Sequence, residues 1–341
     1  MSAHLPKLSY VLLSHNREKY IRAAVESAFA QDYEGELEYI FSDDCSTDRT
    51  FEIIKECVAN YKGNRRVVVT QTPHNLHLAG NTNHAVQFVE SDWIVRADDD
   101  DISTADRCTL VGQAIASNPG CSYVYTRLKT FKSDEEADII LHTSVHRTKA
   151  DCYLIDVLND TSGMWTHFSE PAVQHQVWST NHFKVYGNLP IQGYWVDDVI
   201  SNMRCCTLGF GVQVEAVTAY IRCNSGNMSR GGIKNYQSYT SIIQLEKFND
   251  KYHNTTILPL SQTLCQVVDY MQTNNLLAPA FIKEIEKDLK ERMLLASFWR
   301  NGIINRIRIS RELGYKGVFS ALRCLPMPIF AFLHSLYRKL K

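Results

Sequence analysis

The sequence predicts an α/β protein with a doubly wound, mostly parallel sheet and a helical C-terminal extension. Over the first 130 residues, short apolar runs typical of buried strands alternate with segments whose apolar residues recur at helical spacing. Strand, helix and strand joined by short connections require parallel strands, because each helix carries the chain back over the sheet. The four strands predicted in this region are 8–14, 37–42, 66–71 and 93–97.

The remaining segments are assigned from the same two patterns, apolar runs for strands and apolar residues at helical spacing for helices. Helices are expected at 17–31, after the acidic turn at 43–48, and near 83–90, with a loop at 74–83. Beyond residue 120 the pattern is less regular. Strand-like pieces are assigned at 122–126, 139–142 and 212–222, and a helix at 197–208. After residue 234 the pattern is almost entirely helical.

Composition narrows the class of protein. The chain has 341 residues, 45% of them hydrophobic, which is enough for a large buried core and excludes a disordered protein. A net charge of −1 argues against a nucleic-acid partner. The N-terminus lacks the pattern of a secretory signal, no stretch of 18 apolar residues occurs, and the ten cysteines lack zinc-site spacing. We therefore expect a cytoplasmic protein with reduced thiols.

The charge is concentrated at one end of the chain. Residues 299–341 contain nine Lys or Arg and one acid, Glu312, interleaved with Ile, Phe and Leu. A basic amphipathic element of this kind is typical of a surface that contacts anionic lipid. The alternative is that its apolar side packs on the core or on a second subunit and its cations are solvated. We expect peripheral contact with the inner face of a membrane.

A run of four carboxylates, Asp98 to Asp101, follows the fourth predicted strand. Adjacent carboxylates repel one another, and hard divalent cations such as Mg²⁺ or Mn²⁺ bind them together with substrate phosphates. The alternative is a solvated acidic turn that caps a helix beginning near Ser103. A calcium loop is excluded because Ser103 and Thr109 stand where its Gly and Glu are required. An all-helical diphosphate lyase is excluded because a strand precedes the run.

Two further acidic pairs stand at comparable places. Asp43 and Asp44 end the second strand, where a carboxylate can bind a nucleobase or ribose, although helix capping by Ser46 or Asp48 also fits. Asp197 and Asp198 open a helix, where the dipole keeps a carboxylate ionised and able to deprotonate a hydroxyl. A simple N-cap with a first-turn acid is the alternative there.

In their order along the chain, these motifs resemble those of the family 2 inverting glycosyltransferases of GT-A fold. The resemblance covers residues 7–230, and its specificity comes from the order of the motifs, since no single one is rare. The matching positions are Asn16-Arg17-Glu18, Ser27, Gln31, Asp43-Asp44, Gly80–Asn83, Asp98-x-Asp100-Asp101 and Asp197-Asp198.

The resemblance implies a donor pocket and a cation site. Asp43 and Asp44 match the acidic pair that holds the base and ribose of a nucleotide sugar, and His15 and Asn16 line the same pocket. Asp98 and Asp100 match the ends of the family's DxD motif, with Asp100 contacting Mn²⁺ or Mg²⁺ and Asp98 serving as a further metal ligand nearer the ribose. Asp99 and Asn81 are counted among the donor-binding residues.

The resemblance also implies an acceptor site, with two departures from the family pattern. Asp198 matches the presumed general base, and Trp195 lies where the family often places an aromatic residue near the acceptor. Asp197 stands in place of the usual Glu, so we assign it only beside Asp198 as a catalytic residue. Asn224 stands where many members have a His that binds metal or phosphate, which implies a loosely held cation.

The expected protein is thus a metal-dependent, inverting transferase with a GT-A domain over residues 1–235. Its nucleotide-sugar half spans about 1–120 and its acceptor half about 121–235, followed by the extension at 236–341. The expected donor is a nucleotide-diphosphate sugar, with UDP favoured, and the expected acceptor is a glycan or a lipid-linked molecule in surface-polysaccharide assembly. Two alternatives stay open: a non-catalytic sugar-nucleotide or glycan-binding scaffold, and a sugar nucleotidyltransferase, although residues 12–17 lack the glycine expected of the latter.

Overall fold

A computed structural model describes residues 4–143, 146–155, 176–191, 197–223, 258–276 and 308. The chain divides into two compact units, Met1–Asn224 and Ser225–Lys341. The predicted domain boundary at residue 235, and the predicted division of the first domain near residue 120, stay predictions.

The first unit contains nine strands and seven helices among its described residues. Its strands are β1 Leu8–Ser14, β2 Leu37–Asp43, β3 Val67–Gln71, β4 Trp93–Asp98, β5 Ile102–Ser103, β6 Cys121–Phe131, β7 Cys152–Ile155, β8 Val177–Ser179 and β9 Phe210–Arg222. Its helices are α1 Ile21–Phe29, α2 Thr50–Asn60, α3 His77–Val86, α4 Arg107–Ser117, α5 Asp134–His142, α6 Asn181–Tyr186 and α7 Asp197–Cys206.

The described strands form one mixed sheet in the order β3-β2-β1-β4-β8-β6-β9-β5, with β7 paired to β9. Strands β1 to β4 are parallel, as the sequence predicted, and β6 is parallel to β9. Strand β8 runs antiparallel between β4 and β6, and the short strands β5 and β7 run antiparallel to β9. The doubly wound α/β prediction is confirmed, with antiparallel pairs added in the second half of the sheet.

The strand register aligns the carboxyl ends of β1, β2 and β4 at one edge of the sheet. Ser14 at the end of β1 pairs with Asp43 of β2, and Leu13 of β1 pairs with Asp98 of β4. In open α/β sheets, ligands bind beyond the carboxyl ends of parallel strands. The two acidic sequences that follow β2 and β4 therefore meet on either side of β1.

The core explains why these elements form. Every residue of β1 and β2 is buried, as expected for strands covered by helices on both faces. Helix α1 turns Ile21, Val25 and Ala28 toward this core. Phe29 stacks on Tyr61 with ring centroids 4.1 Å apart, joining α1 to the end of α2. Burial of each large apolar side chain contributes about 1.5–3 kcal/mol.

Three local predictions were wrong. The loop expected at 74–83 and the helix expected near 83–90 are replaced by α3, which begins at His77. Its buried side is built from Ala, Gly, Thr and Asn, so it lacks the apolar periodicity that marks a helix. The strand-like piece at 139–142 is the end of α5, whose start is capped by the Ser133 side chain accepting from the Glu136 backbone N–H. The helix expected near Ser103 begins at Arg107.

The described part of the second unit is one helix, α8 Leu258–Thr273, whose Val267, Val268 and Met271 are buried. This agrees with the helical pattern predicted after residue 234. The basic region at 299–341 lies outside the described residues except for Arg308. Among the described residues, no helix has both the length and the apolar character needed to cross a bilayer.

Candidate active site

His15 joins the two acidic sequences across the end of β1. Its backbone N–H donates to Asp99 Oδ2 at 2.8 Å, on the β4 side. Its Nδ1 lies 2.8 Å from the Asp44 carbonyl oxygen, on the β2 side. Because a carbonyl can only accept, Nδ1 carries the proton, and Nε2 accepts from the Asn75 amide at 2.9 Å. The ring is thus fixed in one tautomer at the centre of the predicted donor pocket.

Asp43 is fully buried, and protein groups donate to both of its carboxylate oxygens. Oδ1 accepts from the hydroxyls of Ser14 and Ser46, and Oδ2 accepts from the Ser46 backbone N–H and from the Gln71 amide. A buried carboxylate needs such partners to stay ionised. The arrangement stabilises the turn after β2, and donor binding by Asp43 stays a prediction that this geometry does not favour.

Asp44 differs from Asp43 although it is the next residue. Its Oδ1 accepts from the Thr72 hydroxyl at 2.8 Å and from the Leu76 backbone N–H at 2.7 Å. Its Oδ2 has no hydrogen-bond partner among the described residues. A donor group of a ligand can therefore approach this second oxygen, which makes Asp44 the better candidate of the pair for nucleotide binding.

Asn16 braces the same turn from the side of β1. Its backbone has a φ of 53°, a left-handed conformation that Asn tolerates better than most residues. Its N–H donates to the Ser46 hydroxyl at 2.8 Å, and its side-chain Oδ1 accepts from the Thr47 N–H at 2.8 Å. Asn16 therefore shapes the wall of the predicted pocket, and its amide oxygen is already engaged.

The four carboxylates after β4 each have a different partner. Asp98 accepts from the Arg96 guanidinium at 3.0 Å, and Asp99 accepts from the His15 N–H. Asp100 lies 3.7 Å from Arg17 Nε, and Asp101 accepts from the backbone N–H of Arg222 at 2.7 Å. Arg17 Nε also lies 3.5 Å from Asp99, so the two middle carboxylates share one cation.

The middle carboxylates are short of positive charge. Burial, together with repulsion from Asp101 and Asp98, raises the pKa of Asp100 to about 7, although Arg17 and Arg222 oppose the rise. Burial and the neighbouring Asp100 likewise raise the pKa of Asp99 well above its usual range. A cation placed beside Asp100 would relieve this repulsion, so the donor set fits a hard divalent ion.

Repulsion among these buried carboxylates is what favours a metal site. The described residues do not provide a full set of ligands. Among the described residues, no group of three His, Cys, Asp or Glu side chains converges in the manner of a metal site. Asn224, the third predicted ligand, lies outside the described residues, as does Trp195 near the predicted acceptor site. Asp98 and Asp100 could thus supply two ligands, and the protein-bound donor would have to supply others.

Two arginines lie beside the carboxylate run, and the sequence analysis assigned neither of them a role there. Arg17 lies 3.5 Å from Asp99 as well as beside Asp100. Arg222 is buried between the rings of Tyr20 and Phe131, 4.3 and 4.5 Å from their centroids. Its Nε donates to the Asp100 carbonyl. Arg222 is 121 residues from Asp101, so no local pattern links it to the carboxylates.

Asp197 and Asp198 take different positions in the first turn of α7. Asp197 is fully buried, and its Oδ2 accepts from Arg96 Nε at 3.0 Å and from the Thr82 hydroxyl at 3.1 Å. Asp198 is only partly buried. Asp198 is thus the more exposed of the two carboxylates. The prediction of a catalytic Asp198 stays open to test, whereas the geometry gives Asp197 a structural partner.

Asn81, predicted to bind the donor, is buried in α3. Its amide N–H donates to the Ser42 carbonyl at 3.1 Å, and its carbonyl accepts from the Ser42 hydroxyl. Both ends of the side chain are used to hold α3 against β2. Its role in donor binding stays a prediction without support from this geometry.

Comparison with known proteins finds similarities that are confined to part of the chain. Residues 9–170 match the model of glycosyl transferase family 2. The putative glycosyltransferase EpsE of Bacillus subtilis is 36% identical over 98 residues, covering 29% of this chain and 34% of EpsE. The poly(ribitol-phosphate) β-N-acetylglucosaminyltransferase TarS of Staphylococcus aureus is 32% identical over 97 residues, covering 28% of this chain and 16% of TarS. The matches thus span about a third or less of these relatives.

Solved structures support the fold more broadly. Residues 1–349 of S. aureus TarS in complex with UDP-GlcNAc superpose with a TM-score of 0.56. The superposition covers 98% of this chain and 92% of that one, at 15% sequence identity. At that identity the likeness concerns the fold alone, and it confirms the predicted GT-A architecture.

Proposed function

We propose that this chain, whose residues 9–170 match the model of glycosyl transferase family 2, transfers a sugar from a nucleotide diphosphate to an acceptor hydroxyl. The observation that carries the proposal is the meeting of three acidic motifs at one edge of the sheet. Asp44 lies on one side of β1, Asp98 and Asp100 lie on the other, and α7 presents Asp198.

The nucleotide would lie beside His15 and Asp44. The unpartnered Oδ2 of Asp44 is an acceptor for an N–H or O–H of the base or ribose, and the His15 ring forms the wall next to it. UDP is the favoured nucleotide because the structurally similar TarS binds UDP-GlcNAc. The sugar itself is left open by the described residues.

The diphosphate would lie against the carboxylate run, with Mn²⁺ or Mg²⁺ between the two. Such a cation, when bound, supplies charge that stabilises the departing diphosphate. Asp100 and Asp98 are the side chains that would hold it, and Arg17 lies beside them as a fixed positive charge. Because the protein offers few ligands, we expect the cation to bind tightly only together with the nucleotide.

Asp198 would act as the general base of an inverting reaction. Its carboxylate takes the proton of the acceptor hydroxyl while the acceptor oxygen forms a bond to the anomeric carbon. The bond from that carbon to the diphosphate breaks on the opposite face, and its electron pair leaves with the nucleotide diphosphate. One displacement inverts the anomeric configuration.

The acceptor and the cellular setting follow from the relatives and from the basic C-terminus. TarS acts on poly(ribitol phosphate) by its name, so we propose polysaccharide or glycolipid assembly for this chain. The basic, apolar region at 299–341 would bring the enzyme to the inner face of a membrane carrying a lipid-linked acceptor.

A thermal-shift screen of UDP, GDP, CDP and dTDP, each with and without Mn²⁺, tests the proposal. A ligand at 100 times its dissociation constant stabilises a protein by about 2.7 kcal/mol, which such a screen detects readily. We expect one nucleotide, UDP, to stabilise the protein only when Mn²⁺ is present, and Asp100→Asn to abolish the shift. Asp92→Asn is the matched control, because Asp92 is an exposed acid at the other end of β4.

The screen separates the proposal from its alternatives when it is followed by turnover. UDP release from the matching nucleotide sugar, with glycan and lipid extracts as acceptors, indicates a transferase. Nucleotide binding without turnover under any acceptor condition would favour a binding scaffold. No stabilisation by any nucleotide would contradict the proposed donor site.

A further inference from the structure

Arg96 is a buried cation between the two halves of the proposed site. It lies in β4, two residues before Asp98, and only 3% of its side chain is exposed. A buried guanidinium is costly unless carboxylates pair with it and accept its hydrogen bonds. Arg96 has two such partners, which come from different elements of the fold.

One partner belongs to the donor side and the other to the acceptor side. Arg96 NH1 donates to Asp98 Oδ2 at 3.0 Å, and Arg96 Nε donates to Asp197 Oδ2 at 3.0 Å. Asp98 is 27% exposed at the mouth of the proposed donor site, whereas Asp197 is fully buried. A single planar group therefore holds the end of β4 and the start of α7 at a fixed separation.

Asp197 has one other hydrogen bond within the described part of the chain. Thr82 of α3 donates to the same Oδ2 of Asp197, while Oδ1 has no hydrogen-bond partner among the described residues. The position of the next residue, Asp198, therefore depends on the Arg96 ion pair more than on any other contact of Asp197. Burial opposes the charge of Arg96, but Asp197, Asp98 and Asp198 together raise its pKa and keep it charged.

We propose that Arg96 is a positioning residue that couples the donor site to α7, so that donor binding at Asp98 orders the helix carrying Asp198. The inference rests on the proposed function, because it takes UDP as the ligand beside Asp98. A ligand that fixes the partly exposed Asp98 carboxylate also fixes the guanidinium. The fixed guanidinium in turn holds Asp197 and the first turn of α7.

Lysine cannot replace Arg96 in this role. Its ammonium carries the same charge at a single point, whereas the guanidinium fork offers separate N–H groups to two carboxylates. Arg96→Lys therefore keeps a buried cation and removes the bridge. The matched control is Arg204→Lys, because Arg204 is a second buried arginine and lies on α7 itself. Its NH1 and NH2 donate to the carbonyls of Gly187 and Asn188, away from the carboxylate motifs.

Hydrogen exchange of the α7 amides at 201–206, with and without UDP and Mn²⁺, tests the coupling. In the wild-type protein we expect UDP to slow this exchange by at least about fivefold, the lower end of typical couplings between sites. Arg96→Lys should bind UDP, as checked by calorimetry, without this slowing. Arg204→Lys should loosen α7 in the free protein and still show the UDP-dependent slowing. A merely structural role for Arg96 would not remove the response to UDP.

Two results would overturn the inference, and they are distinguishable. If the wild-type protein and Arg96→Lys both bind UDP and show equal slowing, Arg96 does not couple the sites, although the proposed function stands. If the wild-type protein does not bind UDP, the proposed function fails and the inference fails with it. Should Arg96→Lys not fold, Asp197→Asn removes the other end of the bridge and is expected to give the same loss of response.

Discussion

The acidic pairs at the end of β2 and at the start of α7 have the same sequence, Asp-Asp, and divide their work in the same way. In each pair the first residue, Asp43 or Asp197, is fully buried and bound by other parts of the fold. The second residue is the proposed ligand-binding group: Asp44 Oδ2 has no hydrogen-bond partner among the described residues, and Asp198 is partly exposed. We call the first, buried residue of each pair the anchor and the second, proposed ligand-binding residue the working residue.

The two anchors are nevertheless held by different chemistry. Asp43 accepts hydrogen bonds from neutral groups only, namely hydroxyls, an amide and a backbone N–H. Asp197 is held by the charged guanidinium of Arg96 and by one hydroxyl. Replacing Asp43 leaves only neutral donors without their acceptor. Replacing Asp197 leaves the buried Arg96 cation with Asp98 as its one hydrogen-bonded carboxylate within the described part of the chain. The comparison thus predicts unequal effects from the same substitution at the two anchors.

The largest expected effect is on catalysis and concerns the working residue of α7. Asp198→Asn should lower kcat for sugar transfer by about 10²–10⁴, the usual contribution of a general base. UDP release from the matching nucleotide sugar measures this, and UDP affinity should change little. Glu135→Gln is the control, since Glu135 is also an acid in the first turn of a helix but is exposed. Full transfer by Asp198→Asn would show that the base lies elsewhere.

The next effect is on stability and compares the anchors directly. Asp197→Asn should lower the free energy of unfolding by about 3–5 kcal/mol, because it breaks a buried ion pair and leaves Asp98 as the one hydrogen-bonded carboxylate of Arg96 among the described residues. Asp43→Asn should cost about 1.5–3 kcal/mol, because the new amide N–H₂ faces groups that themselves donate. Urea unfolding of the two variants at pH 7 provides the measurement. An equal or larger loss for Asp43→Asn would contradict the distinction between neutral and charged anchoring.

A smaller effect, on UDP affinity, distinguishes the anchor Asp43 from the working residue Asp44. Asp44→Asn should weaken UDP binding about tenfold, equivalent to about 1.4 kcal/mol, because the ligand loses a charged acceptor. Calorimetry with UDP and Mn²⁺ measures the change, and the urea midpoint should move less than that of Asp43→Asn. The reverse pattern, with Asp43→Asn binding UDP more weakly than Asp44→Asn, would exchange their roles.

The strands and the positions of the acidic motifs could be predicted from the sequence. Which aspartate of each pair is buried could not. The strands β1 to β4 are continuous apolar runs, and the acids that follow them stand at fixed places in the chain, so the sheet edge could be predicted. Which aspartate of a pair is buried depends on distant partners. Asp197 is 101 residues from Arg96 and 115 from Thr82, and neither separation leaves a local pattern.

Short or weakly apolar elements were missed for the same physical reason. Strands β7 and β8 have four and three residues and exist through pairing with β9, β4 and β6. Helix α3 buries small and polar residues, so hydrophobic periodicity could not reveal it. There a Cβ on Gly80 would lie 2.5 Å from the Leu76 Cβ, and the glycine is needed for the close packing of the helix start.

Acid should weaken the surroundings of α7 through His182, and the expected loss of stability accumulates gradually as the pH falls. This side chain is fully buried on α6, its Nδ1–H donates to the Ser179 carbonyl, and its Nε2 has no hydrogen-bond partner among the described residues. Burial, aided by the charge of Arg204, lowers the pKa of His182 to about 3. The unfolded chain, with a His pKa of about 6.5, therefore binds a proton that the folded protein excludes.

The sign of the pH effect follows from this difference in protons. The contribution of His182 is fully present above about pH 6.5 and is lost as the pH falls toward 3, by at most about 1.4 kcal/mol per pH unit. Urea unfolding at pH 7.0, 6.0 and 5.0 measures the slope. His182→Asn retains an N–H for the Ser179 carbonyl and removes the titrating group, so its slope should be shallower. Parallel slopes for the variant and the wild-type protein would place the acid sensitivity in other residues and leave α7 no more vulnerable to acid than the end of β2.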